Sequence, residues 1–297
     1  MDNAREPEVL QLHPGGVDGP GADALLGQAS FDGLGRAIVL TAHTPISDGR
    51  RLGLFACTNR PSAIYHIGLD EDEQGGLANG KLGVSDEGSV DKTAIPFTPP
   101  HWTRLSRPDF SARSPRVVGQ DTALVWLECE QGGAHRDCDA LLSWKQDGKE
   151  TYVEIPIQDT PKAPMGWPGV FADELPRNGS LTCEGRDILA FTSIWGSRRT
   201  VVAQRLGTRS TPVELTPIGT KVDGTEDELR GTEAWSYTLL CTNGADLLVA
   251  SRSSPAHPAQ ILIGRMGSNT SVQWSLVKSL AEDWKDEYGA CTDPSDE

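Results

Sequence analysis

The chain has 297 residues and a formal net charge of −15, with 42 acidic and 27 basic side chains. This charge argues against nucleic-acid and anionic-membrane partners, because phosphate binding requires clustered Lys and Arg. No apolar run reaches the ~20 residues of a membrane span, and residues 1–8 lack the basic-then-apolar order of a signal peptide. We therefore expect a cytoplasmic protein, and its 32 glycines and 20 prolines favour a loop-rich β fold.

One short pattern occurs four times along the chain: a compact apolar segment, a polar turn and a second apolar segment. The first segments are 37–40, 123–126, 188–191 and 247–250, and their predicted partners are 63–65, 140–144, 201–203 and 261–263. Asp121, Asp187 and Asp246 precede the last three units, where turn chemistry explains an Asp. Repeats of this length indicate a solenoid, propeller or array, and units made only of strands favour a β-propeller.

The repeats predict an all-β fold: a partial, about four-blade β-propeller of antiparallel four-stranded blades. We assign residues 36–280 to this propeller, residues 1–35 to a flexible N-terminal segment and residues 281–297 to an acidic C-terminal tail. The first two units are farther apart than the others. Residues 70–115, which are rich in Gly, Asp, Ser and Pro, are predicted to be a long loop insertion between them.

The sequence offers no catalytic, cofactor-binding or metal-binding motif. It contains no G-x-S-x-G elbow, no phosphate loop and no H-E-x-x-H pair. A Ser-His-Asp triad can still be assembled from distant residues. Cys129, His135 and Cys138 would need a fourth metal ligand that the sequence does not name. With no C-x-x-C pair among six cysteines, we expect buried reduced thiols and assign no site residue.

Four segments carry a resemblance to a known family. RLGLFACTNRPSAIYHIGLD (residues 51–70) has a Leu-Gly-x-x-x-Cys-Thr-Asn-Arg-x-Ser-Ala-x-Tyr skeleton, and SARSPRVVGQDTALVWLE (111–128) resembles a Ser-Ser-Pro-Arg blade opening. GVFADELPRNGSLTCEGRDILAF (169–191) and the stretch 247–278, with its Ser-x-Pro-x-x-Pro loop, follow in the same order. Together they resemble the propeller of the acylaminoacyl-peptidases, or acyl-peptide hydrolases, of the prolyl oligopeptidase group.

The resemblance implies a serine peptidase that removes N-acylated amino acids from short peptides. In that family a C-terminal α/β-hydrolase domain carries the catalytic triad, and the propeller gates substrates by size. None of the family's catalytic residues falls on this sequence, so we expect the chain to lack the hydrolase domain and to be inactive alone. The implied partners are an α/β-hydrolase domain and short N-acylated peptides. An open arc of blades also predicts oligomers through unpaired edges, although a closed four-bladed ring is an alternative.

Arg60, Trp126 and Trp195 lie near predicted strand ends and are the candidates for contacting a peptide in the channel. Large aromatic residues at such positions more often pack between blades. A non-enzymatic scaffold for protein partners stays open as an alternative, although no Gly-His or Trp-Asp repeat signature accompanies the blades. A glycosidase would need paired channel carboxylates, and the predicted strands contain almost none.

Overall fold

A computed structural model gives the structure of the protein. It describes residues 18–32, 36–45, 60–68, 101–119, 123–132, 138–145, 150–158, 160–161, 166–208, 210–223 and 235–279. Every regular element in these ranges is a β-strand. Consequently, none of the described residues belongs to a helix that could cross a membrane.

The strands form four sheets that follow one another along the chain. The first blade contains β1 (Leu25–Phe31), β2 (Ala37–His43), β3 (Ser62–Gly68) and β4 (Trp102–Arg104). The second blade contains β5 (Phe110–Val118), β6 (Ala123–Glu130), β7 (Ala140–Lys145) and β8 (Glu150–Ile155). In both sheets each strand pairs antiparallel with the next, so each blade is a simple meander.

The last two blades follow the same plan with one addition. The third blade contains β9 (Ser180–Cys183), β10 (Arg186–Trp195), β11 (Arg198–Arg205) and β12 (Val213–Glu214). The fourth contains β13 (Val222–Asp223), β14 (Ser236–Thr242), β15 (Leu247–Ser254), β16 (His257–Met266) and β17 (Val272–Ser279). Strand β13 runs parallel to β17 and covers part of the outer edge of this blade.

The turn between β9 and β10 shows how the local sequence sets a hairpin. It consists of two residues, Glu184 and Gly185, whose φ angles are +52° and +71°. Two consecutive positive φ angles define the type I′ turn, which matches the right-handed twist of the strands that it joins. The strand register in the first half of the third blade follows from this turn.

Apolar side chains fill the spaces between successive blades. Val39 and Ile64 of the first blade pack with Trp126 of the second, and Leu141 of the second packs with Phe191 of the third. A larger cluster joins the third and fourth blades. Strand β5 contacts β1, β2 and β3 of the preceding blade, and β14, which begins the antiparallel part of the fourth blade, contacts β10 and β11. The blades therefore stack face to face, with the first strand of each antiparallel meander on the inner side, as in a propeller.

The structure confirms the predicted fold class. All eight predicted apolar segments lie in strands, and the four predicted pairs form antiparallel ladders: β2 with β3, β6 with β7, β10 with β11, and β15 with β16. Of the Asp residues predicted to occupy turns, Asp246 does so, whereas Asp187 lies within β10 opposite Thr182. Asp121 lies outside the described residues.

Strands β1 and β4 lie in ranges where the sequence predicts no strand. Strand β1 lies within residues 1–35, which we expected to be flexible. Its sequence LLGQASF is half-exposed and does not show the apolar pattern of the predicted strands. Strand β4 and the start of β5 lie within the predicted 70–115 insertion, since a three-residue strand such as WTR gives almost no sequence signal. The other residues of 1–35, 70–115 and 281–297 lie mostly outside the described ranges.

Candidate functional site

The three residues predicted to contact a peptide lie in separate places. Trp126 is fully buried between the first two blades, and its Nε1 donates to Glu128 Oε1 at 2.8 Å. Arg60 is buried beside β3 in the first blade. Trp195 is half-buried at the end of β10 and packs edge-on against Trp167, with ring centroids 5.1 Å apart. They do not form one site, and Trp126 has the packing role that the sequence analysis weighed against a binding role.

The described cysteines differ in burial. Cys129 and Cys138 are buried thiols, and Cys183 and Cys241 are half-buried thiols. Within the ranges that the structure describes, no group of three or more His, Cys, Asp or Glu side chains could hold a metal ion. His135, which the sequence analysis considered together with Cys129 and Cys138, lies outside those ranges.

The buried carboxylates are occupied by structural contacts. Glu128 pairs with Arg107, whose Nε lies 2.6 Å from its Oε2. Glu154 accepts hydrogen bonds from Ser143 Oγ at 2.6 Å and from the Gly207 amide at 3.0 Å. Because buried charges in proteins are retained through such partners, these side chains hold neighbouring strands together. They do not form the convergent acid pair that a glycosidase needs.

The Arg-Ser-Pro-Arg segment, residues 113–116 of β5, makes polar contacts with several other segments. Arg113 donates from Nη1 and Nη2 to the two carboxylate oxygens of Asp139, each at 2.7 Å, and from Nη2 to the Ala172 carbonyl at 3.0 Å. Burial alone would lower the pKa of Arg113, but the charge of Asp139 and its hydrogen bonds outweigh burial and raise it. The ion pair therefore stays charged inside the second blade.

Ser114 connects the first blade to the segment that precedes the third blade. Its amide donates to Gln28 Oε1 of β1 at 2.8 Å, and its Oγ accepts from the Leu175 amide at 2.8 Å. Ser114 has a φ of +61°, and the register of β5 shifts at this point. Positive φ is uncommon for a residue other than Gly. The bulge directs the Ser114 amide towards Gln28 of the first blade and the Ser114 hydroxyl towards Leu175, which precedes the third blade.

The segment that Ser114 holds is the inner loop, residues 171–179. It runs beside the second half of β10, where the Phe171 carbonyl accepts from the Ile194 amide at 3.1 Å and the Gly179 carbonyl accepts from the Ala190 amide at 2.8 Å. Strand β9 pairs only with the first half of β10. The inner loop thus replaces the missing part of the innermost strand and bulges away from the sheet.

A cavity of about 450 Å³, the inner cavity, lies between the inner loop and β14. Its walls are the inner loop, residues 192–194 of β10, Arg199 of β11 and residues 238–240 of β14. Volumes of this order are typical of sites for small molecules and short peptides. Since the inner loop and β14 lie at the inner side of their blades, the inner cavity belongs to the channel side of the propeller.

The inner cavity carries charges of both signs. Arg199 Nη2 lies 3.2 Å from Asp173 Oδ2, and both side chains are about half exposed. Glu174 lies 3.7 Å from Arg116 Nη2, and Arg177 is exposed on the same loop. Burial lowers the pKa of Arg116; Glu174 acts in the opposite direction, and the nearby positive charge of Arg177 lowers this pKa further.

Sequence reasoning missed the inner cavity as a site. Its charged residues come from the inner loop and from β11, which the fold brings together. The available signal was the alternation of acidic and basic residues in ADELPRNG, within a segment noted only for its family resemblance.

A second, larger cavity of about 590 Å³, the outer cavity, lies between the outer parts of the second and third blades. It is lined by residues of β8, by Gln158 and Trp167, and by residues 210–212 before β12. Among the described residues that line it, the charged one is Glu154, which the Ser143 and Gly207 contacts already use.

The family model described as "Acylamino-acid-releasing enzyme, N-terminal domain" matches residues 31–287. The chain belongs to this family. It is 28% identical over 231 residues to acylamino-acid-releasing enzyme 2 of Oryza sativa subsp. japonica, a match that covers 74% of this chain and 26% of the rice protein. It is 24% identical over 229 residues to the acylamino-acid-releasing enzyme of Mus musculus, covering 75% of this chain and 25% of the mouse protein.

The chain thus spans about a quarter of the length of the curated relatives that it matches. Among solved structures, it is similar to a puromycin-hydrolyzing peptidase of Mycobacterium tuberculosis, with a TM-score of 0.44, 9% identity and coverage of 86% of this chain and 29% of the other. It is also similar to TolB of Acinetobacter baumannii, with a TM-score of 0.41, 9% identity and coverage of 87% and 44%. The family match confirms the resemblance predicted from the sequence.

Proposed function

We propose that this chain is the substrate-gating propeller of an acylaminoacyl-peptidase-like serine peptidase. In this proposal an α/β-hydrolase domain supplies the catalytic Ser, His and Asp and releases N-acylated amino acids from short peptides. The family match over residues 31–287 carries the proposal. We also propose that the complex acts in the cytoplasm.

The blade junctions support a gating role. The Arg-Ser-Pro-Arg segment ties the inner loop to the first and second blades through Gln28, Asp139 and Leu175. Binding residues commonly lie on loops that a rigid scaffold positions. A channel bordered by such fixed loops admits an extended short peptide and excludes a folded protein, so selection by size needs no moving part in this chain.

The proposal is tested by co-expressing the full chain with the hydrolase domain of the rice relative. We expect the two to co-purify, and we expect the complex to hydrolyse short N-acetylated peptides faster than long ones. The hydrolase domain without the chain should discriminate less by length. The purified chain alone should release no acetyl-alanine; turnover by the chain alone that a serine-reactive phosphonate abolishes would contradict the proposal.

The fourth blade favours a second candidate function, that of a non-enzymatic scaffold. Leu240, Ile263 and Val277 are large apolar side chains that remain substantially exposed there, and exposed apolar patches often mark protein-binding surfaces. Retention of other proteins without any binding to a hydrolase domain would favour this candidate. Oligomer formation through open blade edges also stays a prediction, which sedimentation velocity measurements would test.

A further inference from the structure

We infer that the inner cavity binds the C-terminal carboxylate of a short peptide, with Arg177 and Arg199 as its cationic partners. The ligand class rests on the proposed function, because N-acylated peptides are the substrates that it assigns. The site itself rests on the shape and charge of the inner cavity. Its volume of about 450 Å³ suits one end of a peptide rather than a folded domain.

Arg177 is the first reason for choosing a carboxylate. It lines the cavity and is exposed, and it forms no ion pair with any residue that the structure describes. It lies close enough to Arg116 for the two positive charges to repel each other. An anion placed beside Arg177 would relieve this repulsion, and guanidinium groups bind carboxylates with two parallel hydrogen bonds.

Arg199 is the second reason. Its contact with Asp173 is a single one of 3.2 Å between side chains that are both about half exposed. Exposed ion pairs of this kind contribute little free energy. A peptide carboxylate can therefore replace Asp173 as the partner of Arg199 without disturbing the fold. The buried pair of Arg113 and Asp139, in contrast, is not exchangeable in this way.

The remaining walls fit the rest of a peptide. Phe171, Ile194 and Leu240 offer apolar surface beside the arginines, and small-molecule sites usually combine apolar walls with a few placed polar groups. An N-acylated peptide has no charged amino terminus, so its backbone carries one charge, at the C-terminus. Asp173 and Glu174 line the same cavity, but Asp173 faces Arg199 and Glu174 faces Arg116, so Arg177 is left to meet the carboxylate of such a peptide.

The test compares two probes on the full chain: N-acetyl-Ala-Ala-Ala as the free acid and the same peptide as its C-terminal amide. We expect isothermal titration calorimetry to show the free acid binding about tenfold more tightly than the amide, the size of one charge-assisted hydrogen bond. Arg177→Gln and Arg199→Gln should each reduce this preference, and the double variant should abolish it. Arg265→Gln, at an exposed arginine of the fourth blade away from the cavity, is the matched control and should retain it.

Equal binding of the two probes, binding of neither, or a preference that survives the double variant would overturn the inference. Thermal melts of each variant establish that the fold is intact, which the exposure of Arg177 and Arg199 favours. Failure of the proposed function would look different. If the chain does not bind a hydrolase domain but keeps the arginine-dependent preference, the peptide site stands and the peptidase role falls.

Discussion

Arg113 and Asp139 form a two-point ion pair inside the second blade, with both N–O distances at 2.7 Å. Asp139 is almost completely buried and Arg113 mostly so. Because Arg113 also donates to the Ala172 carbonyl, the pair joins β5 and the residue just before β7 to the start of the inner loop. The integrity of the inner cavity therefore depends on a contact made in the neighbouring blade.

Removal of the Asp139 charge should be strongly destabilising. Asp139→Asn leaves the buried Arg113 guanidinium without its counter-ion, and breaking a buried pair typically costs about 3–5 kcal/mol. We expect a loss of this size in the free energy of unfolding, measured by urea denaturation. Arg265→Gln breaks an exposed pair with Asp246 and should cost less than about 1 kcal/mol. Equal losses of unfolding free energy for the two variants would show that burial of an ion pair does not determine how much it contributes to stability.

Substitutions at Ser114 should separate backbone strain from hydrogen bonding. Both Ser114→Ala and Ser114→Gly remove the Oγ that accepts from the Leu175 amide. Only glycine adopts the φ of +61° without strain. We therefore expect Ser114→Gly to be more stable than Ser114→Ala by about 1 kcal/mol, measured by chemical denaturation. The opposite order would mean that the bulge rearranges once the hydroxyl is lost.

Gly169 should tolerate no side chain. Its φ is +103°, and a Cβ there would collide with the Cys138 Sγ. We expect Gly169→Ala to lower the free energy of unfolding by about 3 kcal/mol, since overpacking and backbone strain add. Gly196→Ala is the matched control, because Gly196 also has a positive φ, of +66°, but faces open space; about 1 kcal/mol is expected there.

Replacement of the thiol tests the cause of that loss. In the background of Cys138→Ala, the Gly169→Ala substitution should cost measurably less, because the colliding sulfur is absent. Thermal or urea denaturation of the four proteins of this double-mutant cycle gives the coupling between the two sites. A cycle without coupling would show that backbone strain alone accounts for the effect.

His43 should make the protein less stable in mild acid. Burial, followed by the nearby positive charge of Arg60, lowers the pKa of His43 in the folded state. The unfolded chain then binds the proton more readily, so stability is complete above the ordinary histidine pKa of about 6.5 and falls as the pH drops below it. The fall in stability between about pH 7.5 and about pH 5.5 should be smaller for His43→Gln than for the wild type. An equal fall in both proteins would assign the acid sensitivity to other groups.

The strands that the sequence predicted are the ones with apolar residues on both faces. Residues 123–126 are buried throughout, and the strand is therefore visible in the sequence as an uninterrupted apolar run. Strand β1 was missed because Gln28 turns at a φ of +51° and its neighbours are partly exposed. The inner cavity was missed for a different reason. Arg177 and Arg199 are brought together by tertiary contacts such as that between Ser114 and Leu175, which sequence spacing does not encode.

The parallel pairing of β13 with β17 has a consequence for how the protein is made. Val222 leaves the ribosome well before Trp274, its partner across the ladder, and it must wait for three intervening strands to be synthesised and assembled. Long-range pairing of this kind slows folding. The β13 segment is therefore exposed to chaperones and proteases until β17 has been synthesised, and we expect translation speed over this stretch to influence yield.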